Sequence, residues 1–272
     1  MKTQYVLSLS YGKDSLACLG AIEELGWHLD RILHAEIWAT DTVLADFPEM
    51  VEFKQKADAI IKKRYGITVE HFCAMRKDGT KQTYENIFYH IPVRKPGGRY
   101  EQGAPAGFPF TKGAWCNDRL KTNPLDAISA RRPTVKYLGI AADEPERLAR
   151  LDGITRVSPL SAINWTEADA REWCVKNDLL SPIYTNSTRG GCWFCHNQGV
   201  DQLRLLRKNH PELWALLMKW DLDSPVPFHA DGHTVHDFDR RFSLEDNGKV
   251  PTDRRFRWSM LNRQFSFRRK GG

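Results

Sequence analysis

The sequence predicts an α/β fold on a parallel sheet, followed by a mostly helical and irregular C-terminal part. Three observations carry this expectation. Apolar runs at residues 5–9, 33–39 and 67–73 read as strands, and two stretches of helical spacing alternate with them. Strands joined through helices run parallel, with right-handed crossovers. Beyond Gln202 the strand signals give way to a helical pattern.

The elements follow in order. The first strand leads into Ser10-Tyr11-Gly12-Lys13-Asp14-Ser15, and a helix-like run over 16–25 leads out. The second strand ends in Thr40-Asp41-Thr42. Phe47-Pro48-Glu49 opens the next helix, with Pro48 suited to the first turn. Met50, Val51, Ala57, Ile60 and Ile61 keep helical spacing, and Gly66 ends the helix. From 75 to 113 the rhythm breaks at Pro92, Pro96, Gly97, Gly98, Gly103, Pro105, Gly107, Pro109 and Gly113. That stretch reads as a long loop with little core potential, either an active-site cover or a surface insertion. Residues 135–141 form a strong strand candidate and 157–160 a short edge strand. Thr166 caps a helix through Lys176, with Asp169 completing a variant capping box. Leu203, Leu206, Leu213, Leu217 and Trp220 mark a helical pattern over 202–220 that Pro211 splits.

The 272 residues, 41% hydrophobic and 27% charged, are enough for a sizeable core in one large or two small domains. No apolar run approaches the ~20 residues of a membrane span, so no membrane partner is expected. The opening Met1-Lys2-Thr3-Gln4 runs into a strand without a signal-peptide pattern, so a cytoplasmic location is expected. Six cysteines in so long a chain are not a secreted disulfide framework; in a reducing compartment, clustered cysteines point to metal or redox chemistry. The net charge of +6 is local. Residues 251–272 hold seven basic residues and one acid, so the remainder is near neutral.

The loop after the first strand has the character of an anion site. Backbone N–H groups are free at the start of a helix, Gly12 permits close approach, and Lys13 adds a point charge. The Walker A spacing is absent. Cys192-Trp193-Phe194-Cys195 has the spacing with which two thiolates bind one centre. Cys18, Cys73 and Cys174 read as small core residues. His233-Thr234-Val235-His236-Asp237 lacks a second ligand pair at a known spacing and reads as surface or packing histidines. Arg254, Arg255 and Arg257 interleave with Phe256 and Trp258, and Arg268 and Arg269 follow Phe265 and Phe267. Two readings stand for this tail: a surface for single-stranded nucleic acid, with arginine on phosphate and rings on bases, or a closing segment that docks its aromatics on the core.

Several separated blocks resemble one family in order. Ser10 to Ser15 resembles the S-G-G-x-D-S pyrophosphate loop, with Tyr11 where that pattern has its first glycine. Thr40-Asp41-Thr42 with Phe47-Pro48-Glu49 resembles L-D-T-G…F-P-E. Cys116-Asn117-Asp118-Arg119-Leu120-Lys121 with Pro124-Leu125 resembles C-x-x-x-L-K…P-L. The segment from Gly139 to Arg147 resembles G-x-R-x-x-E-S…R, with Ala141 in place of the arginine. Pro159-Leu160, Trp165-Thr166-Glu167-Ala168-Asp169, Pro182-Ile183-Tyr184 and Gly191-Cys192-Trp193-Phe194-Cys195 resemble P-L…W-T-E-x-D-V…P-L-Y and G-C-x-x-C. On these blocks the chain resembles the phosphoadenosine phosphosulfate (PAPS) reductase-like family of PP-loop ATP pyrophosphatases, in the adenine nucleotide alpha hydrolase superfamily.

The resemblance implies a Rossmann-like parallel sheet of about five strands with helices on both faces. It implies a nucleotide-binding domain over 1–200, with the Gly/Pro-rich insertion at about 76–113, and an extension over 201–272. ATP with Mg²⁺ is the implied cofactor. Ser10, Tyr11, Gly12, Lys13, Asp14, Ser15, Asp41 and Thr42 would bind the nucleotide; Lys13, Asp14 and Asp41 would serve catalysis; Lys121 and Arg147 would line an anion pocket. Cys116 would join Cys192 and Cys195 as three ligands of a [4Fe–4S] cluster with one open iron, as in tRNA thiolases of this kind; zinc, with His196 as a fourth ligand, and a simple redox pair remain the alternatives. The implied activity is adenylation of an acceptor followed by sulfur transfer, with a nucleic-acid base or, as the second choice, a small molecule as acceptor and a sulfur-donor protein as partner. Reductases of the family use a C-terminal cysteine, and no cysteine follows Cys195. A sulfonucleotide reductase (PAPS or adenylyl-sulfate) using an external thiol and an inactive nucleotide- or nucleic-acid-binding protein are the rival readings. Neither composition nor motif defines an oligomeric state.

Overall fold

The computed structural model describes residues 2–109, 114–130, 132–185 and 191–263. The elements in chain order are β1 (Gln4–Ser8), α1 (Lys13–Leu25), β2 (Arg31–Glu36), α2 (Pro48–Tyr65), β3 (Val69–Cys73), α3 (Tyr84–Phe88) and α4 (Trp115–Asn117), which runs through a π-turn, Asp118–Thr122, into α5 (Asn123–Ser129). Then come β4 (Thr134–Tyr137), α6 (Pro145–Leu148), β5 (Arg156–Val157), α7 (Pro159–Ala162), α8 (Glu167–Lys176) and a 3₁₀ turn, Pro182–Thr185. Helices α9 (Val200–Asn209), α10 (Pro211–Asp223), α11 (Val235–Asp246) and α12 (Ser259–Arg263) complete the chain.

The five strands form one sheet in the order β3-β2-β1-β4-β5. Every pair is parallel, with Leu7 opposite Ile32 and Tyr137, Leu33 opposite Glu70, and Tyr137 opposite Val157. This is the expected Rossmann-like α/β fold with a helical C-terminal part. The order reverses between β1 and β4. Right-handed crossovers β1→β2→β3 put α1 and α2 on one face, and the return to β4 puts α5 on the other. The carboxyl ends of β1 and β4 therefore flank the switch point, where such sheets bind ligands.

Local chemistry sets the helix ends. Pro48 stands in the first turn of α2, and Gly66 closes it in the left-handed region at φ 69°. Thr166 accepts from the Asp169 N–H while the Asp169 side chain accepts from the Thr166 N–H, the expected capping box. Helix α1 is buried from Ser15 to Ile22, and its neighbour α8 crosses so closely that a Cβ on Gly20 would lie 2.2 Å from Nε1 of Trp173.

The chain divides into two compact units: residues 1–87 with 115–192, and residues 88–114 with 193–272. The first contains the sheet and a core that includes Leu7, Leu16, Leu19, Ile32, Phe53, Ile61 and Leu160. In the second, Trp193 stacks on Trp220 at 5.5 Å and Phe88 packs on Phe108 and Trp220, with Phe108 against Phe228 at 5.1 Å.

Four expectations need correction. The 75–113 stretch is not core-poor: it includes α3, and Tyr84, Ile87, Phe88 and Phe108 are buried. Residues 88–114 group with the C-terminal unit because Phe88 and Phe108 find their partners there. The edge strand is only Arg156–Val157. Pro159 lacks the N–H a ladder needs, and Ser158 instead caps a helical turn by accepting from the Ser161 N–H. Likewise β4 stops at Tyr137, two residues before a close approach of Gly139 to α1.

Candidate functional site

The loop from Ser10 to Ser15 joins β1 to α1 at the carboxyl end of the sheet. Ser15 Oγ accepts from the Ser10 N–H at 3.1 Å and donates to the Gly12 carbonyl at 3.0 Å, so one hydroxyl ties the loop into a ring. Among the described residues no acceptor is bonded to the N–H groups of Tyr11, Gly12, Asp14 and Ser15. Four unbonded amides at the positive end of a 13-residue helix form a cradle for an anion. The Lys13 N–H is bonded to the Tyr184 hydroxyl at 3.1 Å. Burial, first of all, pushes the Tyr184 phenol up, so it stays protonated and able to donate.

From the other side of the switch point comes the segment after β4. A Cβ on Gly139 would lie 2.5 Å from the Ser15 nitrogen and 2.7 Å from Asp14 C and Ser15 Cα. Only glycine lets the strand end touch the loop this closely. Ala141 is fully buried, which leaves no room for the arginine of the family pattern, and its N–H donates to Glu144 at 3.1 Å.

This approach assembles three carboxylates. Oxygens of Asp14, Glu144 and Glu167 all lie within 4.8 Å of one another. Lys13 Nζ is 2.7 Å from Asp14 and 3.3 Å from Glu167. Burial lowers the affinity of Lys13 for its proton, but the contacts to Asp14 and Glu167 outweigh it and hold the ammonium above its usual range. Asp14 is nonetheless pushed up: burial dominates, and repulsion from Glu167 and Glu144 adds to it beyond what Lys13 offsets. Three carboxylates and one ammonium leave an excess of negative charge, and hard oxygen donors at this spacing suit Mg²⁺.

Tyr11, which stands where the resembled pyrophosphate-loop pattern has a glycine, has a glycine-like backbone at φ 56°. A left-handed residue with a Cβ costs roughly 1–2 kcal/mol. Its side chain turns away from the loop and is wholly buried. The hydroxyl donates to Asp58 and meets His71 Nε2 at 3.1 Å, and His71 Nε2 also meets Asp58 at 2.8 Å. The His34 ring packs edge-on against Tyr11 at 4.7 Å. Burial, and then Lys54, hold His34 far below its ordinary range, so it is neutral. Its Nδ1–H then donates to the Leu9 carbonyl at 2.8 Å, and Nε2 accepts from Lys54 at 2.9 Å.

The other anticipated residues divide. Asp41 and Thr42 lie on an exposed turn beyond β2, where Lys81 donates to the Asp41 carbonyl at 3.0 Å. Arg147 is paired with Glu144 on α6. Lys121 is exposed on the π-turn, near enough to His34 to help lower it. Cys116, Cys192 and Cys195 are half-buried, the first two in the first unit and Cys195 in the second. Cys18 and Cys174 are buried, and burial pushes the Cys174 thiol up to about 12, which makes it inert.

In the second unit, Arg254 is exposed, Arg255 pairs with Asp253 at 2.9 Å, and Arg257 donates to the Arg254 carbonyl. Phe256 is buried beneath Arg241, whose guanidinium lies 3.7 Å from the ring centroid, and Trp258 stacks on His233 at 3.7 Å. Those two rings are packing groups. Arg268 and Arg269 lie outside the described residues. His236 pairs with Asp221, and Thr234 and Asp237 cap α11, so this stretch is structural.

Sequence reasoning did not assign site roles to Glu144, Glu167 or Tyr184, although each lies within a recognised block. Asp58, His71, His34 and Lys54 carry no motif at all.

No known protein-family profile matches the chain. Over 155 residues it is 30% identical to the uncharacterized nin region protein ORF290 of Escherichia phage lambda. The match covers 55% of this chain and 50% of that protein, so the chain spans about half the length of this curated relative. No described helix is long and apolar enough to cross a membrane.

Proposed function

We propose that this protein is a PP-loop ATP pyrophosphatase-type enzyme that adenylates an acceptor and transfers sulfur to it. The observation that carries the reading is the convergence of the unbonded loop amides, Lys13 and three carboxylates at the β1/β4 switch point. The amides of Tyr11, Gly12, Asp14 and Ser15 bind phosphate oxygens, and the Tyr184 hydroxyl donates to another. Lys13 neutralises charge on the leaving pyrophosphate. Asp14, Glu144 and Glu167 would hold Mg²⁺, which supplies further charge neutralisation when bound. Asp41 and Thr42, on the exposed turn beyond β2, would contact the nucleotide, and Lys121 and Arg147 would attract the remaining anionic groups.

An acceptor oxygen attacks the α-phosphorus, the α–β bond breaks, and pyrophosphate leaves with the electron pair. Sulfide then attacks the carbon that bears the adenylated oxygen, the C–O bond breaks, and AMP leaves with the electron pair. Three thiols, two of them at C-x-x-C spacing, have the donor chemistry for a [4Fe–4S] cluster or zinc, with Cys116, Cys192 and Cys195 as ligands. When bound, such a centre supplies an open position for sulfur. The acceptor class favoured is a nucleic-acid base, with a sulfur-donor protein as partner; the exposed Arg254, the Asp253-paired Arg255 and Arg257 offer positive charge to it.

Product analysis tests the reading. Incubation with ATP, Mg²⁺, sulfide and bulk RNA yields AMP and pyrophosphate in equal amounts, and Lys13→Ala abolishes turnover. ADP and phosphate as products, or full turnover by Lys13→Ala, overturn the assignment. Sulfite released from an adenylyl-sulfate in the presence of an external thiol decides instead for the reductase.

A further inference from the structure

Beneath the loop lies a layer of side chains that the proposed chemistry does not use. We infer that Asp58, His71, His34 and Lys54 are positioning residues that act through Tyr11 and Leu9 to hold the phosphate-accepting loop in shape. The inference rests on the nucleotide reading of that loop.

The layer grips the chain on both sides of Ser10. On one side, the Leu9 carbonyl accepts from neutral His34, whose other nitrogen accepts from Lys54; Lys54 is anchored in turn on Asp46 at 2.5 Å. On the other, the Tyr11 hydroxyl is bonded to Asp58 and His71, and His71 Nδ1 lies 3.6 Å from Glu36. The groups come from β2, α2 and β3, elements that the sheet core already fixes. Lys54 and His34 are buried, and Tyr11 is 0% exposed. The Asp58 and His71 side chains are each 30% exposed, so the buried part of the layer is Tyr11, His34 and Lys54; there, with its hydrogen bonds made, it is rigid and specifies one arrangement. Glycine at position 11 would adopt φ 56° without help, whereas tyrosine keeps it only while its hydroxyl is anchored. In this chain, the anchor has taken over the role of the missing glycine.

Releasing the anchor lets the loop leave the accepting conformation. A loop that is competent a tenth of the time binds about ten times more weakly. The test is a double-mutant cycle on ATP dissociation constants, measured by titration calorimetry well below each variant's melting temperature. Asp58→Ala is expected to raise the constant about tenfold when Tyr11 is present. In a Tyr11→Gly background the same substitution changes it less than twofold, because glycine needs no anchor. Tyr11→Phe, which keeps the packed ring and removes only the hydroxyl, provides a second background, with the same loss of the Asp58 effect expected. An Asp58→Ala effect equal in all backgrounds, or below twofold beside Tyr11, overturns the positioning role while leaving the nucleotide reading intact. A wild-type chain that binds no ATP overturns the nucleotide reading, and the positioning role with it.

Discussion

Gly139→Ala is the most informative single substitution in the first unit. Ordinary Cβ contacts lie at 3.4–4 Å, whereas the new atom would sit 2.5–2.7 Å from Ser15 N, Asp14 C and Ser15 Cα. All three are backbone atoms, so no rotamer change relieves the overlap. The β4 end and the loop must separate by roughly 1 Å, a typical overpacking strain of about 1–3 kcal/mol. For a domain of this size the melting temperature falls by about 2–4 °C per kcal/mol. The same 1 Å displaces the loop amides from the phosphates, so ATP affinity falls; a loop competent a tenth of the time binds about ten times more weakly. Thermal denaturation and ATP titration read the two effects separately. Unchanged melting and unchanged affinity together refute the close approach. Lowered melting with unchanged affinity keeps the packing argument and refutes the loop as the nucleotide site.

Gly20→Ala brings a methyl within 2.2–2.9 Å of the Trp173 indole, so a stability loss of about 1–3 kcal/mol by denaturant titration is expected with no specific change in ATP affinity. His71 is held above its ordinary 6.5, chiefly by its hydrogen bond to Asp58 and then by the charges of Asp58 and Glu36. Its contribution to stability is therefore fully present below that ordinary value and is lost as pH rises through the raised one. The melting gap between wild type and His71→Gln should be wider at about pH 5.5 than at about pH 8.5; an equal gap contradicts the protonated bridge. Protein purified without oxygen should carry iron and sulfide, or zinc, and lose the metal on Cys192→Ala; metal-free, colourless protein removes the sulfur step.

The fold was legible where its signals are local. Strands β1, β2 and β3 announce themselves by apolar runs, and α8 by the Thr166–Asp169 box. The loop was legible because glycine, lysine and small polar residues stand side by side at a strand–helix corner. What escaped depends on residues distant in sequence. Phe88 and Phe108 lie in a Gly/Pro-rich stretch, and only Trp220 and Phe228 make them core. Tyr11 departs from the loop pattern, and its partners Asp58 and His71 stand 47 and 60 residues away. Glu144 and Glu167 stand within recognised blocks with no role of their own, and Gly139 is what brings the neighbourhood of Glu144 against Asp14. For Phe256 both base stacking and docking on the core stood open in the sequence, and the Arg241 guanidinium over its buried ring decides for docking.

The central claim is that the loop amides receive the nucleotide's phosphates. Amide hydrogen exchange over residues 8–16, with and without Mg·ATP, tests it directly. Nucleotide-dependent protection of Tyr11, Gly12, Asp14 and Ser15 is expected, absent in Lys13→Ala. ATP binding that leaves these amides unprotected, or protects only residues elsewhere, contradicts it.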